Sequence, residues 1–211
     1  MITLYYVHDP MCSWCWGFSQ VWRETLAALP QDIKVVRLLG GLAADNDAPM
    51  PVEMQHKLAE TWRRIAAHIP GVEFNFEFWT RCKPRRSTYP ACRAVIAARQ
   101  QDPAYDIAMT QAIQHAYYLQ ARNPSDPETL IALARELGLD TDTFAIALQS
   151  AQTHEQLLLE ITQSRQMNAD SFPSLVLVHQ ASQWHIPIDY NHSEPMLSLI
   201  QQLIAETTNQ V

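Results

Sequence analysis

The sequence has little of what membrane-spanning, secreted or disulfide-rich proteins use. No apolar run approaches the roughly 20 residues that a membrane-spanning helix needs. The first ten residues contain neither Lys nor Arg, so the charged start of a secretory signal is missing. Four cysteines in a chain that we expect to be cytosolic rarely form a structural disulfide framework, so their spacing must indicate their chemistry. We therefore predict a cytoplasmic protein without a membrane partner.

Net charge argues against another class of partner. The formal net charge is −7, whereas phosphate binding needs a basic face, so we expect no nucleic-acid partner. The charge is uneven, because no acidic residue occurs between Phe78 and Gln101. This stretch is either a solvated face or a patch that attracts anionic groups near a thiolate. Its basic residues are Arg81, Lys83, Arg85, Arg86, Arg93 and Arg99.

The first 40 residues have the pattern of a βαβ unit. Ile2–Val7 reads as a buried strand, apolar residues recur at helical spacing over Ser13–Leu29, and Ile33–Leu39 reads as a second buried strand. The alternation from Val72 to Phe78 predicts an extended segment. Helices are predicted over Pro51–Ile69, Tyr89–Gln101, Pro103–Arg122, Pro127–Leu137, Asp142–Ser150 and Thr153–Met167.

The chain returns to strands near its end. Ser174–His179 and Gln183–Ile188 predict an antiparallel hairpin, and a final helix follows from Ser193 to Leu203. Asp126 is predicted to cap a helix, and Gly138 to end one in the left-handed conformation. The order β-α-β, helices, β-β-α predicts an α/β fold with a helical insertion. We place the α/β domain at residues 1–45 and 168–211, and the insertion at residues 46–167.

The strongest motif is the CxxC pair of Cys12 and Cys15, between a predicted strand and a predicted helix. This spacing lets both thiols meet at the first helical turn. Unpaired N–H groups and the helix dipole favour a thiolate there. A thiolate attacks disulfides, and the second cysteine can then resolve the mixed disulfide. The motif therefore predicts a redox-active dithiol.

Ser171, Phe172 and Pro173 directly precede the strand predicted at Ser174. Proline cannot donate a ladder hydrogen bond, so at a strand start it marks an edge or a turn. A cis proline is also compatible with this position, and cis prolines are uncommon enough to suggest a purpose. Together with the CxxC motif, this favours a functional loop.

Three stretches resemble the DsbA family of the thioredoxin superfamily, in its cytosolic FrnE-like subgroup. They are Asp9–Phe18, Ser87–Ala94 and Ser171–Ser174. The resemblance covers essentially the whole chain and implies a thioredoxin-like fold with a large helical insertion. It also implies reversible thiol–disulfide exchange with peptide or small-thiol substrates.

The resemblance also implies roles for individual residues. Cys12 would be the nucleophile, Cys15 the resolving thiol and Pro173 a cis proline that faces them. The backbone of Phe172 would pair with an extended substrate. The variable dipeptide of the motif is Ser13 and Trp14 here, and both are expected to contact substrate.

The variable dipeptide also bears on the direction of the reaction. Strongly oxidising periplasmic members have Pro and His in the dipeptide. We therefore expect a reductase, an isomerase or a stress-linked exchange enzyme.

Four further residues have both an inert and a functional interpretation. His8 and Asp9 either end a strand, or exchange a proton with Cys15. Cys82 and Cys92 are either unreactive thiols or a second redox pair, which requires a distance to judge. The aromatic residues around the motif and near residue 76 are expected in the core.

Three other functions remain open from the sequence. One is a glutathione-dependent transferase or isomerase, like kappa-class transferases and hydroxychromene carboxylate isomerases, in which we expect Ser as the nucleophile. The others are a zinc site, which would need a second close cysteine pair, and a chaperone. We expect no metal and no cofactor besides the dithiol, with substrate proteins or glutathione as partners. The oligomeric state is open.

Overall fold

A four-stranded sheet forms the centre of the α/β part of the protein. The computed structural model describes residues 2–208, and its strands are β1 (Ile2–His8), β2 (Ile33–Leu39), β3 (Ser174–His179) and β4 (Ser182–Ile186). The sheet order is β2-β1-β3-β4. β1 pairs parallel with β2 and antiparallel with β3, which pairs antiparallel with β4. The β-α-β … β-β-α order predicted from the sequence is therefore present.

Helices occupy most of the chain between the second and third strands. α1 (Ser13–Ala28) lies between β1 and β2, and α9 (Glu194–Thr208) follows β4. The helices between β2 and β3 are α2 (Val52–His68), α3 (Phe78–Arg81), α4 (Tyr89–Gln101), α5 (Tyr105–Tyr118), α6 (Pro127–Glu136), α7 (Thr141–Gln149) and α8 (Ala151–Gln166). We call residues 46–167, which contain the seven helices α2 to α8 and their loops, the helical block. The domain limits at 45/46 and 167/168 stay a prediction, and their terminal residues 1 and 209–211 lie outside the described residues.

The extended segment predicted over Val72–Phe78 is wrong. The chain there is a loop that enters the short helix α3. The N–H of Asn75 donates to a carbonyl at the end of α5 at 2.6 Å. The Phe74 and Phe76 rings both contact Trp62, at centroid distances of 5.0 and 5.9 Å. The alternating aromatic residues therefore converge on one buried indole instead of lining one face of a strand.

Element ends and caps differ in detail from the prediction. The helix expected to run to Arg122 stops at Tyr118, and β4 ends at Ile186. Asp126 precedes α6, but its carboxylate makes no capping hydrogen bond and pairs with Arg85 at 2.6 Å. Gly138 follows α6 with φ +79°, as predicted for a left-handed helix end.

Separate apolar clusters lie on the two faces of the sheet. Leu4 and Tyr6 of β1 pack with α1 and α9 on one face, whereas Val7 packs with Leu38 and Val176 on the other. A larger cluster fills the helical block around Trp62. Burial on this scale, at about 25 cal/mol per Å² of apolar surface, is the main stabilising contribution.

A buried charge network joins β2 to the helical block. Arg37 Nε lies 2.6 Å from Asp106 Oδ1, and Arg99 Nη1 lies 3.1 Å from Asp106 Oδ2. Arg99 also pairs with Glu160, whose other oxygen accepts the N–H of Leu39 at 2.9 Å. The network thus ties β2 to α4, α5 and α8.

No helix within residues 2–208 is both long and apolar enough to cross a membrane.

Candidate active site

The dithiol lies at the junction between β1 and α1. Cys12 occupies the N-cap position of α1, and Cys15 lies in its first turn. The N–H of Cys12 donates to the carbonyl of Asp9 at 3.0 Å, which turns the chain from strand to helix. Both cysteines are free thiols. Cys15 is 0% exposed, whereas Cys12 borders an open cavity.

The pKa values of the two thiols are shifted in opposite directions. The neighbouring Cys15 thiol, helped by backbone N–H groups of the first turn, lowers the pKa of Cys12 below that of an ordinary thiol. Burial raises the pKa of Cys15 well above it. Because only the thiolate attacks a disulfide, Cys12 is the better nucleophile.

The Phe172–Pro173 peptide bond is cis, and the loop that contains it faces the dithiol. The Cys12 thiol donates a hydrogen bond to the Phe172 carbonyl at 3.4 Å. Gly40, just after β2, lets the Phe172 ring approach, since a Cβ at Gly40 would lie 2.0 Å from that ring. The structure therefore brings Cys12 together with the loop that the sequence singled out.

A cavity of about 300 Å³ opens beside Cys12. Ser13, Trp14 and Phe172 also line it, so the three predicted substrate contacts share one cavity with the nucleophile. The outer side of Trp14 contacts Tyr190 at a centroid distance of 5.0 Å and the Arg64 guanidinium at 5.6 Å. From the helical block, the lining includes Met50, Leu58, Trp62, Arg85, Arg86 and Tyr117. A larger cavity, of about 470 Å³, lies behind Tyr190 and is lined by neither cysteine.

Most cations of the basic stretch have acidic partners. Arg81 pairs with Glu77, Arg85 with Asp126, and Arg93 with Asp45, while Arg99 belongs to the buried network. Within residues 2–208, Lys83 and Arg86 form no ion pair, and only Arg86 of these two lines the cavity. The basic stretch is therefore largely neutralised, with one half-buried cation left beside the dithiol.

Asp9 lies under the dithiol loop, fully buried. Its carboxylate accepts hydrogen bonds from the N–H groups of Met11 at 2.8 Å and Leu42 at 2.7 Å. It also accepts from the Thr88 hydroxyl at 2.6 Å and the Cys92 thiol at 3.4 Å. These donors lie outside the dithiol itself. Proton exchange with Cys15 stays a prediction for Asp9.

His8 is also buried, and burial lowers its pKa well below the ordinary value. The neutral ring that results can accept from Arg37, whose Nη2 lies 3.1 Å from His8 Nε2. His8 Nδ1 has no partner among the described residues. The structure thus places His8 beside the buried charge network, and its proton exchange with Cys15 stays a prediction.

Cys82 and Cys92 hydrogen-bond to different partners. The Cys82 thiol donates to the Ala121 carbonyl at 3.0 Å, and the Cys92 thiol donates to Asp9. Burial raises the pKa of both thiols. Both are therefore poor nucleophiles as they stand, and a second redox pair stays a prediction. Within residues 2–208, no group of His, Cys, Asp and Glu has the arrangement of a metal site.

Comparison with known proteins identifies the family. A family model described as Thioredoxin matches residues 5–197. The chain belongs to this family. This thioredoxin-family chain is 26% identical to a candidate protein disulfide isomerase from Nitrosomonas europaea, with a TM-score of 0.84 over 97% of this chain and 98% of that one. It is 25% identical to the cytosolic disulfide reductase DsbM of Pseudomonas aeruginosa, with a TM-score of 0.76 over 96% and 98%. These neighbours place it in the DsbA-like branch, with the predicted thioredoxin-like fold.

The chain also matches relatives that are described as adapter proteins. It is 24% identical over 83% of its length to the ClpXP adapter protein SpxH of Halalkalibacterium halodurans, and 23% identical over 90% to SpxH of Bacillus subtilis. The chain spans 58% and 64% of the length of these relatives. The matches support the family and cover only part of each adapter.

Sequence reasoning missed Thr88 and the position of Arg86. Both fall in stretches that the sequence had singled out, one by resemblance and one by its charge. Both stretches could therefore be found in the sequence, but no local pattern indicates that the start of α4 lies close to the dithiol. That contact depends on how the helical block packs.

Proposed function

We propose that this protein is a cytoplasmic thiol–disulfide oxidoreductase of the FrnE-like subgroup, acting mainly as a reductase. The observation that carries the proposal is the unequal pair of thiols. Cys12 has a lowered pKa and borders a cavity, while Cys15 is buried with a raised pKa directly behind it. The likeness to a protein described as a cytosolic disulfide reductase supports the direction and the location.

The reaction proceeds by two exchanges. The Cys12 thiolate attacks one sulfur of a substrate disulfide, and the other sulfur leaves as a thiolate that takes up a proton. Cys15 then loses its proton and attacks Cys12, which releases the second substrate sulfur as a thiol. The substrate gains two electrons, and the enzyme is left with a Cys12–Cys15 disulfide. Two molecules of a small thiol such as glutathione restore the dithiol and leave as their disulfide.

The cavity offers hydrogen-bonding groups for an extended substrate, and both a cation, Arg86, and a carboxylate, Asp170, line it. The Phe172 backbone beside Pro173 offers hydrogen-bonding groups to an extended chain, and Ser13 and Trp14 line the same mouth. Arg86 adds a cation without an ion-pair partner in the described chain. Glutathione has a thiol that can attack the Cys12–Cys15 disulfide and two carboxylates that can pair with Arg86. It is therefore the co-substrate that we propose.

The test is equilibration against mixtures of reduced and oxidised glutathione, with trapping and mass mapping of each cysteine. We expect a reversible Cys12–Cys15 disulfide with a midpoint of roughly −200 to −300 mV. Cys15→Ser should accumulate glutathione on Cys12, and Cys82→Ser serves as the matched control that leaves the dithiol intact. A midpoint near about −120 mV, where strong oxidants lie, would refute the reductase direction.

The same experiment separates the other candidate functions. A glutathione transferase or isomerase would form no internal disulfide and would keep its activity in Cys15→Ser. The adapter function of the SpxH relatives is not extended to this chain, because the match spans less than two thirds of their length.

A further inference from the structure

Asp9 is the point where three separate segments meet. Its carboxylate binds the dithiol loop through the N–H of Met11, and the segment after β2 through the N–H of Leu42. The third segment is the start of α4, which contributes the Thr88 hydroxyl and the Cys92 thiol. Because Asp9 also accepts the N–H of Cys12 on its carbonyl, the nucleophile is attached directly to this junction.

Thr88 is well oriented to donate to Asp9. Its hydroxyl oxygen accepts the N–H of Ala43 at 3.1 Å, which leaves its proton free to point elsewhere. The oxygen of Asp9 lies at 2.6 Å, and the alternative acceptor, the Ala43 carbonyl, lies at 3.4 Å. Short hydrogen bonds to a carboxylate are the stronger kind. The proton of Thr88 is therefore directed to Asp9.

We propose that Thr88 is a positioning residue for the dithiol: with Cys92, it fixes the Asp9 carboxylate and favours its charged form, so that the start of α4 in the helical block controls the reactivity of Cys12. The inference rests on the proposed function only in taking Cys12 as the attacking thiol. Thr88 and Cys92 act through Asp9 and have no part in the bond changes themselves.

The charge of Asp9 determines whether Thr88 raises or lowers the reactivity of Cys12. Burial raises the pKa of Asp9, and its hydrogen-bond donors oppose that rise, Thr88 most strongly. A charged Asp9 disfavours a thiolate at Cys12. Within residues 2–208 no cation pairs with Asp9. The titratable groups that its charge reaches are Cys12 and Cys15 of α1, Tyr89 and Cys92 of α4, and Tyr117 and Tyr118 of α5.

The test is the rate of Cys12 alkylation by iodoacetamide against pH, resolved by mass, in Thr88→Val and Thr88→Ser. Removing a hydrogen-bond donor from a carboxylate changes the equilibrium between its charged and neutral forms by roughly ten- to hundredfold. In Thr88→Val the pKa of Asp9 should rise further, so its carboxyl is neutral over a wider acidic range, and we expect Cys12 alkylation in that range to rise about threefold or more. Thr88→Ser keeps the hydroxyl and should restore the wild-type profile. Thr25→Val is the matched control, since among the described residues its buried hydroxyl donates to the Val21 carbonyl alone.

Cys92→Ala is the second variant in case Thr88→Val does not fold, and it should shift the profile in the same direction by a smaller factor. An unchanged alkylation profile in both variants would overturn the proposal. So would a slower resolution step at Cys15 with normal Cys12 alkylation, because that marks Asp9 as a proton acceptor. Alkylation does not depend on turnover, so a failure of the proposed function would appear separately, as wild-type protein that forms no internal disulfide.

Discussion

Arg99 links two buried carboxylates, and its removal tests how far the charge network stabilises the fold. Its guanidinium pairs with Asp106 and with Glu160, and the Arg99 side chain is only 18% exposed. In Arg99→Met, Asp106 keeps its partner Arg37 at 2.6 Å. Within residues 2–208, the Glu160 carboxylate keeps only its hydrogen bond from the N–H of Leu39. The variant therefore leaves one buried carboxylate without a cation.

The expected cost follows from that unpaired charge. Removing one partner of a buried ion pair costs about 3–5 kcal/mol, and the lower end applies because Asp106 stays paired. For a domain of this size, each kcal/mol lowers the Tm by roughly 2–4 °C. A loss of about 3 kcal/mol thus lowers the Tm by about 6–12 °C. Arg81→Met is the matched control: its pair with Glu77 is 66% and 61% exposed, and such pairs contribute roughly 0.5 kcal/mol or less.

The assay is urea unfolding of both variants, with Glu160→Gln added to Arg99→Met. The amide carries no charge, so the double variant should recover about 1–2 kcal/mol if the unpaired carboxylate causes the loss. Equal stability of Arg99→Met and Arg81→Met would refute the reasoning. Failure of Glu160→Gln to recover any stability would instead assign the loss to packing of the Arg99 side chain.

Three shorter predictions concern the dithiol. Arg86→Gln should raise the KM for glutathione about tenfold, a loss of about 1.4 kcal/mol of binding free energy, and leave the KM for uncharged mercaptoethanol unchanged. Lys83 does not line the cavity, so Lys83→Gln should change neither KM. As pH rises from 5, Cys12 should be alkylated first, since its pKa is lowered, while Cys92 should stay unmodified in folded protein at pH 8 because burial raises its pKa. Gly40→Ala should slow single-turnover disulfide reduction on the order of 10²-fold by displacing the cis-proline loop, and an unchanged rate would contradict the role of that close approach.

The elements that local pattern controls were predictable. β1, α1 and β2 follow from short apolar runs and a helical repeat, and the Gly138 helix end follows from the freedom of glycine at positive φ. The segment over Val72–Phe78 was mispredicted because its alternation matches a strand. Tertiary packing on Trp62 outweighs that local preference.

The site was predictable where one motif contains it, and less so where distant segments meet. The thiols at Cys12 and Cys15 and the loop at Pro173 could be found from sequence because their neighbours along the chain mark them. Thr88 lies 79 positions from Asp9, and nothing in either local sequence predicts the contact. A buried carboxylate needs donors, but the identity of those donors depends on how the helical block packs against the sheet.

This division suggests how the family member obtains its own specificity. The α/β part supplies the dithiol, its helix N-terminus and the cis-proline loop. The helical block supplies Arg86 to the cavity wall, Trp62 to its apolar side and Thr88 to the carboxylate under Cys12. Under the proposed function, exchange chemistry belongs to the part with the sheet, and we expect the helical block to set the preference for substrate charge and the reactivity of the thiol. Substitutions at Arg86 and Thr88, just before α4, should change rate and substrate preference without changing which two cysteines react.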